Sequence, residues 1–442
     1  MQREQWGSRF GFIMAAAGSA VGLGNIWKFP YLAGTEGGGA FLIVYVGFLV
    51  TIGVSLMMAE IAIGRAAHLN PIGAFRKLGG NRWMPVGALG VITAFILLSF
   101  YSVVGGWTVA YIVKSISGSL VGGTAEELGQ QFGALVSSVG EPIFYHGVFM
   151  ALTIGIVLAG VAQGIERSVK IMMPALFILL LILVVRSVTL DGAWEGVVFF
   201  LTPDWSQVDG GMLSAALGQA FFSLSLGMGA LITYGSYLNA DANIRSASCW
   251  VVGLDTMVAV LAGLMVLPAV FAFNLDPGAG PGLTFITLPA VFGEMWAGAA
   301  FQVFFFVMLL IAALTSSISL LAIPVAFFSE QFGIERKKSA VIIGAIIFVM
   351  GVPSSLSMGL WADFKILGLP FFDLMSELVD RVLMPVGGML TALFAGWVAF
   401  PKMAEELTNR GTLPFPMLNV WKWMARVFCP LAVGWVMYVG LA

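Results

Sequence analysis

Apolar residues run through this chain in long blocks, and the short polar stretches between them hold most of its charges. A helix that crosses a bilayer needs roughly 20 mostly apolar residues. Windows of that kind predict about eleven helices, at 10–34, 39–64, 85–114, 143–161, 169–186, 213–238, 247–273, 299–328, 339–356, 371–400 and 426–442. The loops after the second, fourth and eighth windows carry Arg65, Arg76, Lys77 and Arg82, then Arg167 and Lys170, then Arg336, Lys337 and Lys338. Alternating spans put these loops on one side, and the side richest in Lys and Arg is the cytoplasmic one. The N-terminus, with Arg9, is then expected inside and the C-terminus outside. The N-terminal apolar run is long and glycine-rich, and is expected to stay rather than be cleaved as a signal. The opposite loops carry Glu126, Glu127, Asp191, Asp204 and Asp276, and NLDPGAGPG at 274–282 is expected to fold back as a lid.

Composition narrows the reading. Hydrophobic residues are 59% of the 442 and charged residues 10%, against about 25% charged in soluble domains. The fold class expected is an all-α polytopic membrane protein. A net charge of -2 offers no basic surface for nucleic acid. Cys249 and Cys429 lie in apolar stretches, and His68 and His146 lack ligand-like neighbours, so neither a disulfide framework nor a cysteine or histidine metal site is expected. No paired catalytic carboxylates or nucleophile–base constellation lies within the windows, so an enzyme is not expected.

Two windows carry an unusual core. The first contains Gly11, Gly18, Gly22 and Gly24 and ends near Pro30. The sixth contains Gly227 and Gly229 beside Ser223 and Ser225. Each holds an apolar-Gly-apolar-Gly unit, Val21–Gly24 and Leu226–Gly229, five helices apart. Glycines at the spacing of Gly18 and Gly22 also serve close helix packing. The matching unit in the sixth window favours discontinuous helices opening two inverted five-helix repeats. The expected division is 1–190, 191–400, and a loop with an eleventh helix over 401–442. An unwound turn at the bilayer midplane frees carbonyls for a cation and N–H groups for an anion, and is tolerated only inside protein or against a cavity.

These pieces, together with REQWGSR, AGSAVGLGNIWKFPY, GGGAF, FFSLSLGMG and LTSSISLL, resemble the neurotransmitter:sodium symporters over nearly the whole chain. Within that family the chain is similar to eleven-helix bacterial amino-acid carriers. The resemblance implies a bacterial inner-membrane symporter of a hydrophobic or aromatic L-amino acid, driven by sodium. A proton-driven carrier of the same repeat type and a non-transporting sensor are the alternatives. Two sodium ions are implied, with no organic cofactor. One ion would use Ala20, Asn25, Ser223, Asp255 and the substrate carboxylate, and the other Gly18, Val21, Ala312, Thr315 and Ser316. Family members often have asparagine at the position of Asp255, and the carboxylate there implies that chloride is not required.

The substrate backbone would lie against Ser19, Ala20, Gly22, Leu23, Gly24, Tyr101, Ser223 and Ser225, close to Ser316. Its side chain would point toward Leu97, Phe222, Met228, Ser319 and Leu320. Monoamine-carrying members have aspartate where this chain has Gly22, which leaves room for a carboxylate. The inner gate would pair Arg3 with Glu330 beside Trp6 and Tyr237. The outer gate would pair Lys28 with Asp373, with Glu377 close behind. Glu60 would accept hydrogen bonds from the unwound part of the sixth helix, and Gln219 would brace the same region. Gly164 and Pro174, which bracket nine residues at the start of the fifth helix, would let it unwind.

Overall fold

The structure, a computed structural model, describes residues 4–273, 275, 283–293 and 295–441. Every predicted window is a helix or a broken helix. Span 1 runs Arg9–Ala20 and resumes as Gly24–Thr35, bent by 48°. Spans 2 to 5 are Gly39–Ala67, Asn81–Ile116, Gly140–Leu158 and Val161–Val188. Span 6 is Gly210–Ser223 and then Ala230–Gly235. Spans 7 to 10 are Ile244–Ala272, Gly298–Phe332, Arg336–Leu356 and Phe371–Val398. Span 11 covers 418–441 and contains a wider π-helical turn at Met424–Phe428. Among the described residues, eight spans are long and apolar enough to cross a bilayer unaided, and the bent first pair makes nine. Spans 6 and 11, divided into shorter pieces, complete the eleven.

Burial orders the layers. Span 8 is 83% buried over its apolar window and span 3 is 72%, whereas spans 4 and 5 are 33%. Spans 3 and 8 lie along each other at the centre. Span 5 turns Ile171, Ile178 and Val185 outward at seven-residue spacing, an apolar stripe suited to lipid rather than water. Short helices cap the bundle: Pro71–Gly79, Ala125–Ser137, Ala193–Leu201, Leu288–Gly293 and Phe400–Leu407. The regular strands are a two-residue hairpin ladder, Lys365–Ile366 against Leu369–Pro370. Apart from Leu275, the segment expected as a lid lies outside the described residues. Phe285, which follows it, packs on Trp107, Tyr111 and Phe132.

The breaks have local causes. In span 6, Ser225, Gly227 and Gly229 have φ of 54°, 80° and 77°, a left-handed backbone that no helix continues. A Cβ on Gly227 would overlap the Met384 carbonyl, so only glycine fits there. The amide of Gly227 is captured by Glu60 Oε1 at 2.7 Å, from span 2. In span 1 the α-helix stops at Val21, whose ψ of 105° is extended, and the chain re-enters through a π-helical turn at Gly24–Lys28.

Candidate functional site

The two breaks face each other, and Asn25 joins them. Its Oδ1 accepts from the Gly22 amide at 3.1 Å. Its Nδ2 donates to Ser223 Oγ at 2.9 Å and Asp255 Oδ1 at 2.8 Å. The Ser223 hydroxyl lies 2.8 and 2.9 Å from the two Asp255 oxygens. Tyr45 adds its hydroxyl at 3.0 Å from Ser223 Oγ and 3.3 Å from Asp255 Oδ2. All four side chains are buried. A carboxylate held so deep by neutral donors is electrostatically incomplete, and its oxygens, with those of Asn25 and Ser223, could hold a hard cation. Tyr45 was absent from the expected set. Its one signal in the sequence is a hydroxyl in an otherwise apolar half-span, GAFLIVYVGF.

A second oxygen cluster sits between spans 1 and 8. Thr315 Oγ1 lies 3.2 Å from the Val21 carbonyl and 3.0 Å from the Ala312 carbonyl. Ser316 Oγ reaches the carbonyls of Gly18, Ser19 and Val21 at 3.4, 3.2 and 3.4 Å. The carbonyls freed by the end of the first half-helix therefore converge with two hydroxyls. A Cβ on Gly18 would come within 3.2 Å of Thr315 Cβ, so the glycine permits the approach.

Between the clusters lies a cavity of about 20 Å³ lined by Ser19, Ala20, Gly22, Leu23, Gly24, Leu97, Tyr101, Phe222, Ser225, Met228, Ser316 and Leu320. Twelve of the fourteen residues expected around the substrate line it. Ser319 stands just behind, accepting from Ser19 Oγ at 2.7 Å. Ser223 turns away to Asp255. The Tyr101 hydroxyl accepts from the Leu23 amide at 3.3 Å. A Cβ at position 22 would overlap Ser316 Oγ and lie 3.1 Å from the Tyr101 hydroxyl. The cavity has room for about one water, so Phe222 or its neighbours must withdraw for anything larger to enter.

Tyr101 and Phe222 also form the floor of a larger cavity of about 640 Å³, walled by spans 1, 3, 6, 10 and 11. Lys28 stands in its wall, with Nζ 2.8 Å from Asp380 Oδ2 and 4.7 Å from the Phe222 ring centre. The expected pairing with Asp373 is therefore corrected. Asp373 and Glu377 line the same cavity, and Glu377 pairs with Arg381. Residues seven apart share a helix face two turns apart. Asp373 and Asp380 are thus equivalent in pattern and differ in depth, which the sequence does not disclose.

The opposite end is closed. Trp6 is 3% exposed. Its indole N–H donates to the Tyr234 carbonyl at 2.9 Å, and its ring packs edge-on against Tyr234 and Tyr237. Arg3 lies outside the described residues. Glu330 accepts from the amide and side chain of Asn70, both at 2.8 Å. Arg336, read from the sequence only as an orientation charge, donates to the Tyr237 hydroxyl at 3.1 Å. Glu166 was also missed: it accepts from the Gly7 amide at 2.7 Å and Ser8 Oγ at 2.8 Å, and pairs with Lys170 at 2.6 Å. It ties the N-terminal segment to the start of span 5. Between Gly164 and Pro174 that span is wound, first as a π-helical turn and then as α-helix. Gln219 donates to the Gly24 carbonyl at 2.8 Å, so it braces the break in span 1 rather than that in span 6.

The comparisons with known proteins agree with this geometry. The profile of the "Sodium:neurotransmitter symporter family" matches residues 3–130 and 127–442. An uncharacterized sodium-dependent transporter of Bacillus subtilis, YhdH, is 42% identical over 97% of this chain and 96% of its own. An uncharacterized sodium-dependent transporter of Haemophilus influenzae is 37% identical over 98% and 97%. The crystal structure of MhsT in complex with L-phenylalanine superposes with a TM-score of 0.93 at 45% identity, covering 99% of this chain and 100% of that one. A multi-pass helical chain with two broken spans, matched along its whole length by sodium-dependent transporters, is not an enzyme: it belongs to the sodium:neurotransmitter symporter family.

Proposed function

We propose that this transporter imports a hydrophobic or aromatic L-amino acid across a bacterial inner membrane, together with two sodium ions and without chloride. The observation that carries the reading is the crowding at Gly22. Backbone from both breaks lines one cavity, and position 22 has no space for a side chain. An aspartate that would meet an amine is thereby excluded, while the Gly22 and Leu23 amides, held by Asn25 and Tyr101 in this structure, and the Tyr101 hydroxyl suit a carboxylate. The apolar wall of Leu97, Phe222, Met228 and Leu320 suits an apolar side chain, and flexible Met228 adapts to several shapes. MhsT, 45% identical, holds L-phenylalanine in its crystal structure, which supports the same class.

In this reading one ion sits among Ala20, Asn25, Ser223 and Asp255, and the substrate carboxylate completes its shell. The other sits among Gly18, Val21, Ala312, Thr315 and Ser316. Sharing one shell makes ion and substrate each raise the other's affinity by the same factor. Asp255 supplies the negative charge that a chloride would otherwise bring. Transport follows as the broken spans 1 and 6 move against the central spans 3 and 8 about this site. The Lys28–Asp380 contact breaks on the outer side, and the contacts of Trp6 break on the cytoplasmic side, where the N-terminus lies.

The test is uptake into liposomes carrying the purified protein, under an imposed sodium gradient, across the twenty amino acids. Accumulation of leucine, phenylalanine, tyrosine or tryptophan above the equilibrium level supports the reading. Binding without accumulation would make the protein a sensor, and accumulation driven equally by a proton gradient would make it a proton-coupled carrier.

A further inference from the structure

We infer that the ends of spans 10 and 11 nearest the 401–417 loop form a binding site for one anionic phospholipid. Lys422 and Arg426 stand one turn apart at the start of span 11. Lys422 Nζ lies 4.9 Å and Arg426 Cζ 5.3 Å from the centre of the same ring, Phe400. Arg426 also covers Trp397 at 4.6 Å, and its Nε donates to the Gly396 carbonyl at 2.6 Å. Two like charges so placed repel each other. Among the described residues neither has a carboxylate partner; the nearby acids are taken, Glu406 by Arg65 and Glu405 by Lys402. The aromatic faces position the two cations but leave their charge uncompensated.

The depth of the pair points to a lipid. Trp397 and Trp423 are both more than half exposed, and tryptophans in such positions mark the headgroup level of a membrane. From there an outward apolar ridge runs along span 11 through Phe428, Leu431 and Trp435. A phosphodiester held by Lys422 and Arg426 would sit at the headgroup level that the tryptophans mark, with its acyl chains in the hydrocarbon that bathes this end of span 11. Basic pockets between transmembrane helices bind lipid phosphates in this way. Gly396 makes the seat possible, because a Cβ there would come within 2.8 Å of Arg426 Cγ.

The experiment is native mass spectrometry of the full-length protein in detergent, titrated separately with phosphatidylglycerol and phosphatidylcholine. The wild type is expected to retain one phosphatidylglycerol that Lys422→Gln/Arg426→Gln loses and Lys422→Arg/Arg426→Lys keeps. Phosphatidylcholine should be retained at least fivefold less well. Equal retention of the two lipids by the wild type, a comparison needing no variant, would overturn the inference. Equal retention by wild type and the glutamine variant, or displacement of the lipid by an equal concentration of inorganic phosphate, would overturn it too. Sodium-dependent substrate binding in the glutamine variant serves as the check that it has folded.

Discussion

Lys28 on span 1 and Asp380 on span 10 meet at 2.8 Å across the wall of the larger cavity, with the ammonium also over the Phe222 ring. One contact thereby links the proposed outer gate to a side chain that roofs the substrate cavity. Lysine cannot make the forked, two-point contact of arginine. Both side chains are about one-fifth exposed, and a pair in that setting is worth up to about 1 kcal/mol. Asp380→Asn is expected to shift the gate equilibrium by up to about fivefold. Reaction of a cysteine placed at Phe100, on the cavity wall, would report it as faster labelling. Asp373→Asn should label at the wild-type rate, and a larger effect from Asp373 than from Asp380 would refute this gate assignment.

Gly22→Ala puts a methyl group against Ser316 Oγ and the Tyr101 hydroxyl. Overpacking of this kind costs about 1–3 kcal/mol. Sodium-dependent binding of the substrate should weaken about fivefold or more, measured by equilibrium binding of labelled amino acid. Substrate affinity within twofold of wild type would contradict the proposed carboxylate position.

Asp255 bears on the anion requirement. Replacing chloride by gluconate is expected to leave uptake by the wild type unchanged. Asp255→Asn removes the charge while keeping most hydrogen-bonding atoms, and should raise the sodium concentration for half-maximal uptake at least tenfold. Loss of wild-type uptake in gluconate would overturn chloride independence.

Thr315→Val keeps the shape of the side chain and removes the hydroxyl that reaches Val21 and Ala312. The increase in melting temperature on adding sodium, in the absence of substrate, should shrink by at least half. An undiminished sodium shift would remove Thr315 from the ion shell.

Pro174 lies inside span 5 and cannot donate a hydrogen bond to the preceding turn. Pro174→Ala restores that bond and should slow cytoplasmic release of sodium, read as slower turnover with unchanged equilibrium affinity. Turnover equal to the wild type would show that unwinding beside Pro174 is not limiting.

Much of this protein is legible in its sequence. In a bilayer, backbone must satisfy itself within helices, so apolar length alone marks each span. Glycine pairs in spans 1 and 6 identified the breaks: Gly227 and Gly229 take a left-handed backbone in span 6, and Gly22 leaves space that a Cβ would take from Ser316 in span 1. The family resemblance carried by LTSSISLL pointed to the hydroxyls of Thr315 and Ser316. Depth and partnership were decided only by the tertiary structure. Asp373, Glu377 and Asp380 offer similar carboxylates at helical spacing, and only the crossing of spans 1 and 10 selects Asp380 for Lys28. Tyr45 reads as one aromatic among many until the packing of spans 2, 6 and 7 turns its hydroxyl onto Ser223 and Asp255. Glu166 looks like a solvated helix start until the N-terminal segment folds over it. Spacing along one helix fixes which residues share a face, whereas contacts between helices depend on crossing angle and axial offset, which no single helix encodes.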